Sequence, residues 1–319
     1  MYVPYMYGRR YELLAVRMML RDDSRDLGML MPLVEPVMAQ VADLRRCIEA
    51  CGKSGQSLAI IANPRRHELK NVQARDAWLD EVIPLLYDSA HVIPIFRCDE
   101  STGRRSIERF FRQFDGRSVG IFYSGVSLRD DDLRWLFAYP SVAWHMADTD
   151  HVVDEIWRMM PRNRLIVVRD CFHRMIRNAD YEGTEFFTDR HQVFRDQAAG
   201  IGDYLCLGRE FISGGSTPAA VAIHACYKNS RNDDLWIEHF VSDDRTRGEG
   251  DTAGKFVQAA RKLAAAVRRR PAEFGSNPAL REFARLARTE EYSGLGENKK
   301  LQMVHHMCLV LDVLQGRLE

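Results

Sequence analysis

The chain has 319 residues, of which 45 are Lys or Arg and 45 are Asp or Glu, so its formal net charge is zero. Hydrophobic residues make up 46% of the sequence and charged residues 28%, which is usual for a globular protein. This length fits one large barrel or two domains of roughly 150 residues each. Surfaces that bind nucleic acid through its phosphates usually carry a basic excess, so the neutral total argues against direct nucleic-acid binding.

The N-terminal residues carry no pattern typical of an export signal, because Met1 to Arg10 contain neither an apolar core nor a small-residue cleavage site. The longest apolar runs, such as 58–62, are far shorter than the roughly 20 residues that cross a bilayer. Seven cysteines form an odd set, which favours reduced thiols and a cytoplasmic protein without a membrane span. Cys47 and Cys51 lack a second Cys/His pair at zinc spacing, so we expect buried thiols there.

Short apolar runs bounded by turn residues alternate with segments of helical periodicity, as in a parallel sheet built from βα units. A first helix is predicted near residues 9–20. Later helices at 37–50 and 74–86 follow predicted strands, and the strands recur at about the 30-residue spacing of a βα unit. The predicted strands in this part of the chain are 29–34, 58–62, 91–96, 118–123, 141–146, 164–168 and 203–207.

The last part of the chain departs from this repeat. Gly214-Gly215-Ser216-Thr217-Pro218 predicts a loop. Two strand-like runs follow at 219–227 and 235–241, and the polar residues between them predict a hairpin. Of these nine strands we expect 235–241 to close the barrel. Three further helices are predicted at 251–269, 278–289 and 297–317.

The sequence therefore predicts an α/β fold, a TIM-barrel-like (β/α)8 barrel with an inserted β-hairpin and C-terminal helices. The predicted domain organisation is a barrel-like domain over residues 1–275 and a helical extension over residues 276–319 that packs on the barrel.

Ligand sites of parallel barrels lie at the carboxyl ends of the strands. Glu35, Asp148 and Asp170 are candidates for general acid/base catalysis or for binding Mg²⁺, which prefers oxygen ligands. Arg97 and Arg169 could hold a phosphate or carboxylate through two hydrogen bonds each. Other polar residues are predicted near strand ends, and of these we expect Asn63 and His145 to bind ligand; the rest are Asp99, Tyr123, Ser124, His239, Asp243 and Asp244. Structural roles are the alternatives to these functional ones. The aspartates could cap helices, and Glu35 and Arg97 could form a structural ion pair.

A long insertion follows the sixth predicted strand, from Asp170 to His191. It is longer than an ordinary βα loop. One interpretation is a lid over the site that contributes Arg177, Asn178 and Asp180 as ligand-binding residues. The other is a covering loop whose aromatic residues seal the barrel mouth; these are Phe172, Tyr181, Phe186 and Phe187.

Several segments together carry a resemblance to known proteins. Two groups of motifs are involved; the first is Tyr2-Val3-Pro4-Tyr5, Gly8-Arg9-Arg10-Tyr11-Glu12-Leu13, Pro32-Leu33-Val34-Glu35-Pro36 and Asn63-Pro64. The second is Arg177-Asn178-Ala179-Asp180-Tyr181, Glu185-Phe186-Phe187-Thr188-Asp189, Gly202-Asp203-Tyr204 and His239-Phe240-Val241-Ser242-Asp243. The first group resembles the beta family of bacterial and phage proteins. The second group resembles a related bacterial family of about this length, which is the closer match.

The resemblance covers roughly residues 2–245. It implies a barrel-like protein that is often encoded beside a predicted nuclease, within mobile or phage-defence loci. It implies no particular reaction, so no catalytic role is carried over to these residues.

Two hypotheses about function follow. In the first, the chain is a cytoplasmic barrel protein of a phage-defence or mobile-element system that binds a phosphorylated or nucleotide-like ligand at the strand ends. Whether it is an enzyme stays open, and a hydrolase or phosphodiesterase is the activity considered. In the alternative, it is a non-catalytic partner or scaffold for a nuclease subunit encoded nearby. An apolar stripe on the last helix motivates that alternative; it consists of Leu301, Val304, Met307, Cys308 and Leu311.

Overall fold

A computed structural model describes residues 1–214 and 218–318 of the chain. The predicted loop at 214–218 therefore lies mostly outside the described residues. The strands are β1 (Tyr2–Tyr7), β2 (Leu33–Glu35), β3 (Leu58–Ile61), β4 (Val92–Cys98), β5 (Val119–Tyr123), β6 (Val142–Asp148), β7 (Leu165–Arg169), β8 (Thr184–Thr188), β9 (Gly200–Asp203), β10 (Ala222–Lys228) and β11 (Leu235–Val241).

The α-helices are α1 (Arg10–Met19), α2 (Ala42–Ser54), α3 (Val72–Asp88), α4 (Arg104–Gln113), α5 (Asp130–Phe137), α6 (Asp154–Trp157), α7 (Arg190–Val193), α8 (Thr252–Arg269), α9 (Pro271–Phe274), α10 (Pro278–Thr289) and α11 (Leu295–Leu314). Short 3-10 helices lie at His67–Lys70, Arg162–Arg164, Asn178–Asp180, Phe194–Asp196 and Leu205–Leu207.

The chain divides into two compact units. The barrel unit comprises Met1–Leu13, Arg25–Asp170 and Gln192–Asp203. The sheet unit comprises Leu14–Ser24, Cys171–His191 and Tyr204–Glu319. The boundary predicted at residue 275 falls inside the sheet unit.

The barrel unit contains a closed ring of eight parallel strands in the order β1-β2-β3-β4-β5-β6-β7-β9. Helices follow the strands along the chain, so the predicted TIM-barrel-like fold is confirmed. In β1, Tyr7 is aligned with Glu35 of β2, and Pro4 is aligned with Asp203 of β9. Because all strands run in the same direction, their carboxyl ends meet at one end of the ring, which is called the barrel mouth here.

The prediction of the closing strand was wrong. The ring is closed by β1 pairing with β9, whereas 235–241 forms β11 in the sheet unit. Pro4 inside β1 has no N–H to donate, which argues against a strand when only the sequence is considered. The glycines of β9 are similarly unfavourable for a strand, but the fold requires both of them. A Cβ atom on Gly202 would lie 2.4 Å from the carbonyl oxygen of Val3, and one on Gly200 would lie 2.5 Å from that of Met1.

The sheet unit is built on a three-stranded antiparallel sheet in the order β10-β11-β8. β10 and β11 pair from Ala222 with Val241 to Lys228 with Leu235, which confirms the predicted hairpin. β8 comes from the insertion after β7, so that segment is not only a loop: its backbone groups pair with β11 between Thr184 and Thr188.

The last helix, α11, lies within the core of the sheet unit. All five residues of the apolar stripe that motivated the scaffold hypothesis are buried, with exposed fractions of 0%. The same helix contacts β10 and α10 of its own unit. The stripe therefore serves internal packing and is not a surface open to a partner.

Buried thiols occupy the positions predicted for them. Cys47 and Cys51 lie on α2 with Leu44 and Ile48, and these four residues form the buried face of that helix. All seven cysteines lie in the described part of the chain, and none forms a disulfide bond. Among the described helices, none combines the length and apolar character needed to cross a membrane.

Candidate functional site

Five polar side chains converge at the mouth of the barrel unit. They come from three strands and two loops and are joined by hydrogen bonds; we call Tyr5, Glu35, Arg66, Arg97 and Ser124 the mouth cluster. Glu35 is the last residue of β2, Arg97 lies near the end of β4, and Ser124 directly follows β5. The common direction of the strands is what brings these distant parts of the sequence together.

Glu35 is the centre of the mouth cluster. Its side chain is completely buried, and it accepts hydrogen bonds from the Tyr5 hydroxyl and from Nη1 of Arg97. The Nε atom of Arg66 lies 3.1 Å from Oε1 and 2.9 Å from Oε2 of the same carboxylate. Both oxygens are therefore engaged by donors, two of which are cationic. Such charge-assisted bonds offset the cost of burying the carboxylate.

Arg97 is held by contacts on three sides. Its Nε atom donates a hydrogen bond of 3.0 Å to the Ser124 hydroxyl, and its Nη1 atom donates to Glu35. Its backbone is fixed by Asn63, which exchanges two hydrogen bonds with it. The Arg97 side chain is 18% exposed, so it is held in place by these bonds but is not fully buried.

Arg66 approaches Glu35 from the loop between β3 and α3. Its guanidinium carbon lies 5.7 Å from the centre of the Tyr7 ring, within the range of a cation–π contact. Burial raises the pKa of Tyr7 to about 12, and the nearby Arg66 acts against that rise. The Arg66 side chain is 33% exposed, and of its nitrogen atoms only Nε donates a hydrogen bond to a described residue.

The charges of the mouth cluster do not cancel. One carboxylate, Glu35, faces the two guanidinium groups of Arg66 and Arg97, which leaves an excess of one positive charge. Attraction of an anion by such a charge is stronger in a partly buried site than in water, because the effective dielectric constant is lower there. The cluster is therefore suited to bind an anionic group at the barrel mouth.

Aromatic contacts place this cluster above the barrel interior. The rings of Tyr5 and Phe122 lie 5.1 Å apart, although β1 and β5 are not neighbours in the ring of strands. β1 and β5 stand opposite each other, so the contact must cross the interior. The barrel is therefore filled below the mouth cluster, and a ligand has access from the mouth.

The other predicted catalytic residues lie on the opposite half of the ring. Asp148 ends β6, which stands opposite β2, and its carboxylate accepts a hydrogen bond of 3.3 Å from the backbone N–H of Asp150. Asp150 in turn accepts a bond from the backbone N–H of Asp170 and lies 3.6 Å from Nε of Arg169. Asp148 and Asp150 thus accept backbone hydrogen bonds in the turns after β6 and β7. This role is similar to the helix cap considered as the alternative for Asp148.

His145 has a different environment from the one predicted. Its Nδ1 atom lies 2.9 Å from the Tyr123 hydroxyl, and its ring meets Phe137 of α5 edge to face at 5.5 Å. The side chain is completely buried, and burial lowers its pKa to about 3. His145 therefore packs as a neutral ring in the layer between β6 and α5, where it cannot supply positive charge to a ligand.

The three residues assigned to a lid belong to the sheet unit. Arg177 and Asp180 form an ion pair of 2.6 Å with each other at the surface. The side-chain amide of Asn178 donates a hydrogen bond to the carbonyl oxygen of Ala220. Phe172 and Tyr181, two aromatic residues of the same insertion, pack against the rings of His224 and His239.

The geometry gives no support to magnesium binding by Glu35, Asp148 and Asp170. Within residues 1–214 and 218–318, no group of three or more His, Cys, Asp or Glu side chains is arranged to hold a metal ion. Two cations and a hydroxyl already surround the Glu35 carboxylate. The candidate site is therefore best described as an anion site.

Sequence reasoning missed Tyr5, Tyr7 and Arg66. The two tyrosines were overlooked because β1 was not predicted as a strand. Arg66 lies three residues beyond Asn63, and nothing in the local sequence distinguishes it from the exposed Arg65 beside it. A basic residue soon after a strand was the available signal, but it is common in surface loops.

Comparison with known proteins adds no assignment. No protein-family model matches this chain, and no curated protein is similar to it at a significant level. The function is therefore inferred from the side chains that the fold itself brings together.

Proposed function

We propose that this chain is a cytoplasmic barrel protein that binds a phosphorylated ligand at the barrel mouth through Arg66 and Arg97. One observation carries the proposal: a single buried carboxylate, Glu35, holds two partly exposed guanidinium groups side by side at the mouth. Guanidinium groups match the geometry of phosphate oxygens and remain charged at all physiological pH values. A nucleotide is one ligand of this class.

Glu35 has a positioning role in this proposal. Its oxygens accept bonds from Arg66, Arg97 and Tyr5, so the carboxylate fixes the guanidinium groups before a ligand arrives. Binding to groups that are already ordered loses less side-chain entropy, which favours affinity. Asn63 contributes in the same way, because it fixes the backbone of Arg97 and need not touch the ligand.

Isothermal titration with AMP and with inorganic phosphate tests the proposal. Arg66→Gln removes one cation from a partly exposed loop position, and we expect it to weaken binding about tenfold, equivalent to ~1.4 kcal/mol. Arg65→Gln is the matched control, since Arg65 is adjacent and exposed but makes no contact with Glu35 that the structure shows. Equal affinities of the two variants, or no binding of either probe by the wild-type protein, would overturn it.

Hydrolysis of the ligand is a separate part of the proposal. Release of p-nitrophenol from its phosphate monoester and diester, measured with and without Mg²⁺, tests it. Activity that is present in the wild-type protein and in Arg65→Gln but lost in Arg66→Gln would assign a hydrolase to the barrel mouth. Binding without turnover would assign a ligand-binding protein.

The wider setting that we propose is a phage-defence or mobile-element system with a nuclease partner encoded nearby. Its support is the resemblance of the strand-end motifs, among them Pro32 to Pro36 with Glu35 at the centre of the mouth cluster. Co-expression with the product of the neighbouring gene, followed by affinity purification, tests this association. The buried stripe on α11 does not provide the contact surface, so the partner must bind elsewhere.

A further inference from the structure

The sheet unit contains a pocket of about 400 Å³. This volume lies within the range of small-molecule sites, which is roughly 300–1,000 Å³. Its walls come from the loop before β8, from β11 and the segment that follows it, and from α8. None of these elements belongs to the mouth cluster, so the pocket is a separate site.

Three basic side chains line this pocket: Arg245, Lys262 and Arg269. Lys262 and Arg269 are seven residues apart on α8, which is about two helical turns, so they project from the same face. Ala265 lies between them on that face and leaves the space open. Arg245 approaches from the segment after β11.

Two of these cations are anchored by backbone carbonyl groups. The Lys262 ammonium group donates to the carbonyl oxygen of Val241 at 2.7 Å, and Arg245 donates to that of Ala179 at 3.2 Å. The carbonyl groups fix the direction of the side chains but do not neutralise them. The basic groups are therefore held in place before any ligand binds.

The nearby carboxylates compensate this charge only in part. Glu182 lies 3.4 Å from Arg245, and Asp243 lies 2.7 Å from Lys262, but their side chains are 81% and 70% exposed. Such surface pairs are weak because water and salt screen them. Glu238, a third carboxylate, lines the pocket and is paired with Arg270, which lies outside the lining. Arg269 has no carboxylate within salt-bridge distance among the described residues.

The remaining wall is formed mainly by β11, from Glu238 to Val241. His239 lines the pocket, and its Nδ1 atom lies 2.8 Å from Nδ1 of the buried His224. Its backbone N–H donates to the carbonyl oxygen of Gly183, which joins β11 to the opposite wall. The three basic side chains outnumber the two carboxylates of the lining, Glu182 and Glu238, so the pocket carries a positive excess.

We propose that this pocket is a second ligand site, specific for a small multivalent anion of the phosphate or diphosphate type, which Arg245, Lys262 and Arg269 bind together. The site does not depend on the barrel mouth. A ligand with several negative charges is favoured over a monovalent one, because it can interact with all three cations at once.

Titration of the full-length chain with pyrophosphate tests this proposal, using Arg66→Gln as the background so that barrel-mouth binding is weakened. Arg269→Glu should weaken pyrophosphate binding at least tenfold, because it replaces a cation by a carboxylate that repels the negatively charged ligand. Arg268→Glu is the matched control: Arg268 is the neighbouring exposed residue of α8 but does not line the pocket. Arg269→Gln should give a smaller loss in the same direction.

A second titration at higher NaCl concentration should weaken binding to the background protein, because the interaction is ionic. Equal effects of the substitutions at positions 268 and 269, or no pyrophosphate binding in the Arg66→Gln background, would overturn the second site. Neither result would affect the proposed ligand site at the barrel mouth. That site is tested separately by comparing Arg66→Gln with Arg65→Gln.

Discussion

The side-chain amide of Asn63 forms two reciprocal hydrogen bonds with the backbone of Arg97. Its Oδ1 atom accepts from the Arg97 N–H at 2.7 Å, and its Nδ2 atom donates to the Arg97 carbonyl oxygen at 3.0 Å. The amide thus acts like a further residue of strand β3 at the point where β3 has ended. Because of this contact, the direction of the Arg97 side chain depends on a residue 34 positions earlier.

Replacement of Asn63 should therefore lower both stability and ligand binding. Asn63→Ala leaves the N–H and carbonyl groups of Arg97 without these partners, and we expect a loss of about 1–3 kcal/mol in unfolding free energy. Asn63→Asp keeps the acceptor but removes the donor, so its loss should be smaller. Urea unfolding measures both variants. Asn163→Ala, at an exposed position, is the control. If Asn63→Ala lowers the unfolding free energy no more than Asn163→Ala does, this role of Asn63 is contradicted.

Glu35→Gln tests the buried carboxylate. The substitution preserves size but leaves Arg66 and Arg97 without their negative partner, and breaking a buried ion pair in this way typically costs about 3–5 kcal/mol. Glu81→Gln is the control, because Glu81 forms an exposed pair with Arg45 that should contribute less than about 1 kcal/mol. Chemical denaturation should separate the two variants clearly. Similar midpoints for both would show that Glu35 does not organise the mouth cluster.

Two glycine substitutions test the closure of the barrel by β1 and β9. A Cβ atom at Gly202 would lie 2.4 Å from the Val3 carbonyl oxygen, so Gly202→Ala must push the strands apart and should cost about 1–3 kcal/mol. A Cβ atom at Gly52, on α2, would meet nothing within 4 Å. Gly52→Ala should instead stabilise the chain by up to about 1 kcal/mol. Thermal unfolding gives the sign of each change, and a neutral Gly202→Ala would argue against this closure.

Three buried histidines, His145, His224 and His239, should make the protein sensitive to acid, because burial lowers the pKa of each. The pKa is about 3 for His145 and His224 and about 4 for His239. In the unfolded chain all three would titrate near pH 6.5. As the pH falls from about 6.5 towards 4, the unfolded state therefore binds protons that the folded state excludes, and stability decreases by about 1.4 kcal/mol per pH unit for each group.

His239→Gln should reduce this slope, because it removes one of the protons that the folded state excludes. Urea unfolding at several pH values between 7 and 4.5 measures the slope for the variant and for the wild-type protein. His67→Gln serves as the control, since His67 lies on a turn with a partly exposed side chain. If both variants keep the wild-type slope, protonation of His239 does not limit stability in acid.

Local patterns in the sequence determined the class of this fold. The alternation of short apolar runs with helical periodicity predicts a βα barrel, and the polar residues between 227 and 235 predict the hairpin of β10 and β11. Glu35 was also expected at a strand end, and it is the last residue of β2. These predictions succeed because buried apolar residues recur about every second residue in a strand and every three to four residues in a helix. This repeat is visible within a short stretch of sequence.

Only the tertiary structure decided how the barrel closes and which strand-end residues meet. Pro4, Gly200 and Gly202 are unfavourable for strands locally. Pro4 and Gly202 nevertheless lie in the pairing of β1 with β9, and Gly200 is aligned with Ile166 in the pairing of β7 with β9. The meeting of Glu35 with Arg66 and Arg97 joins residues 31 and 62 positions apart. Such contacts depend on the closure of the whole ring of strands, so no short stretch of sequence contains the information that specifies them.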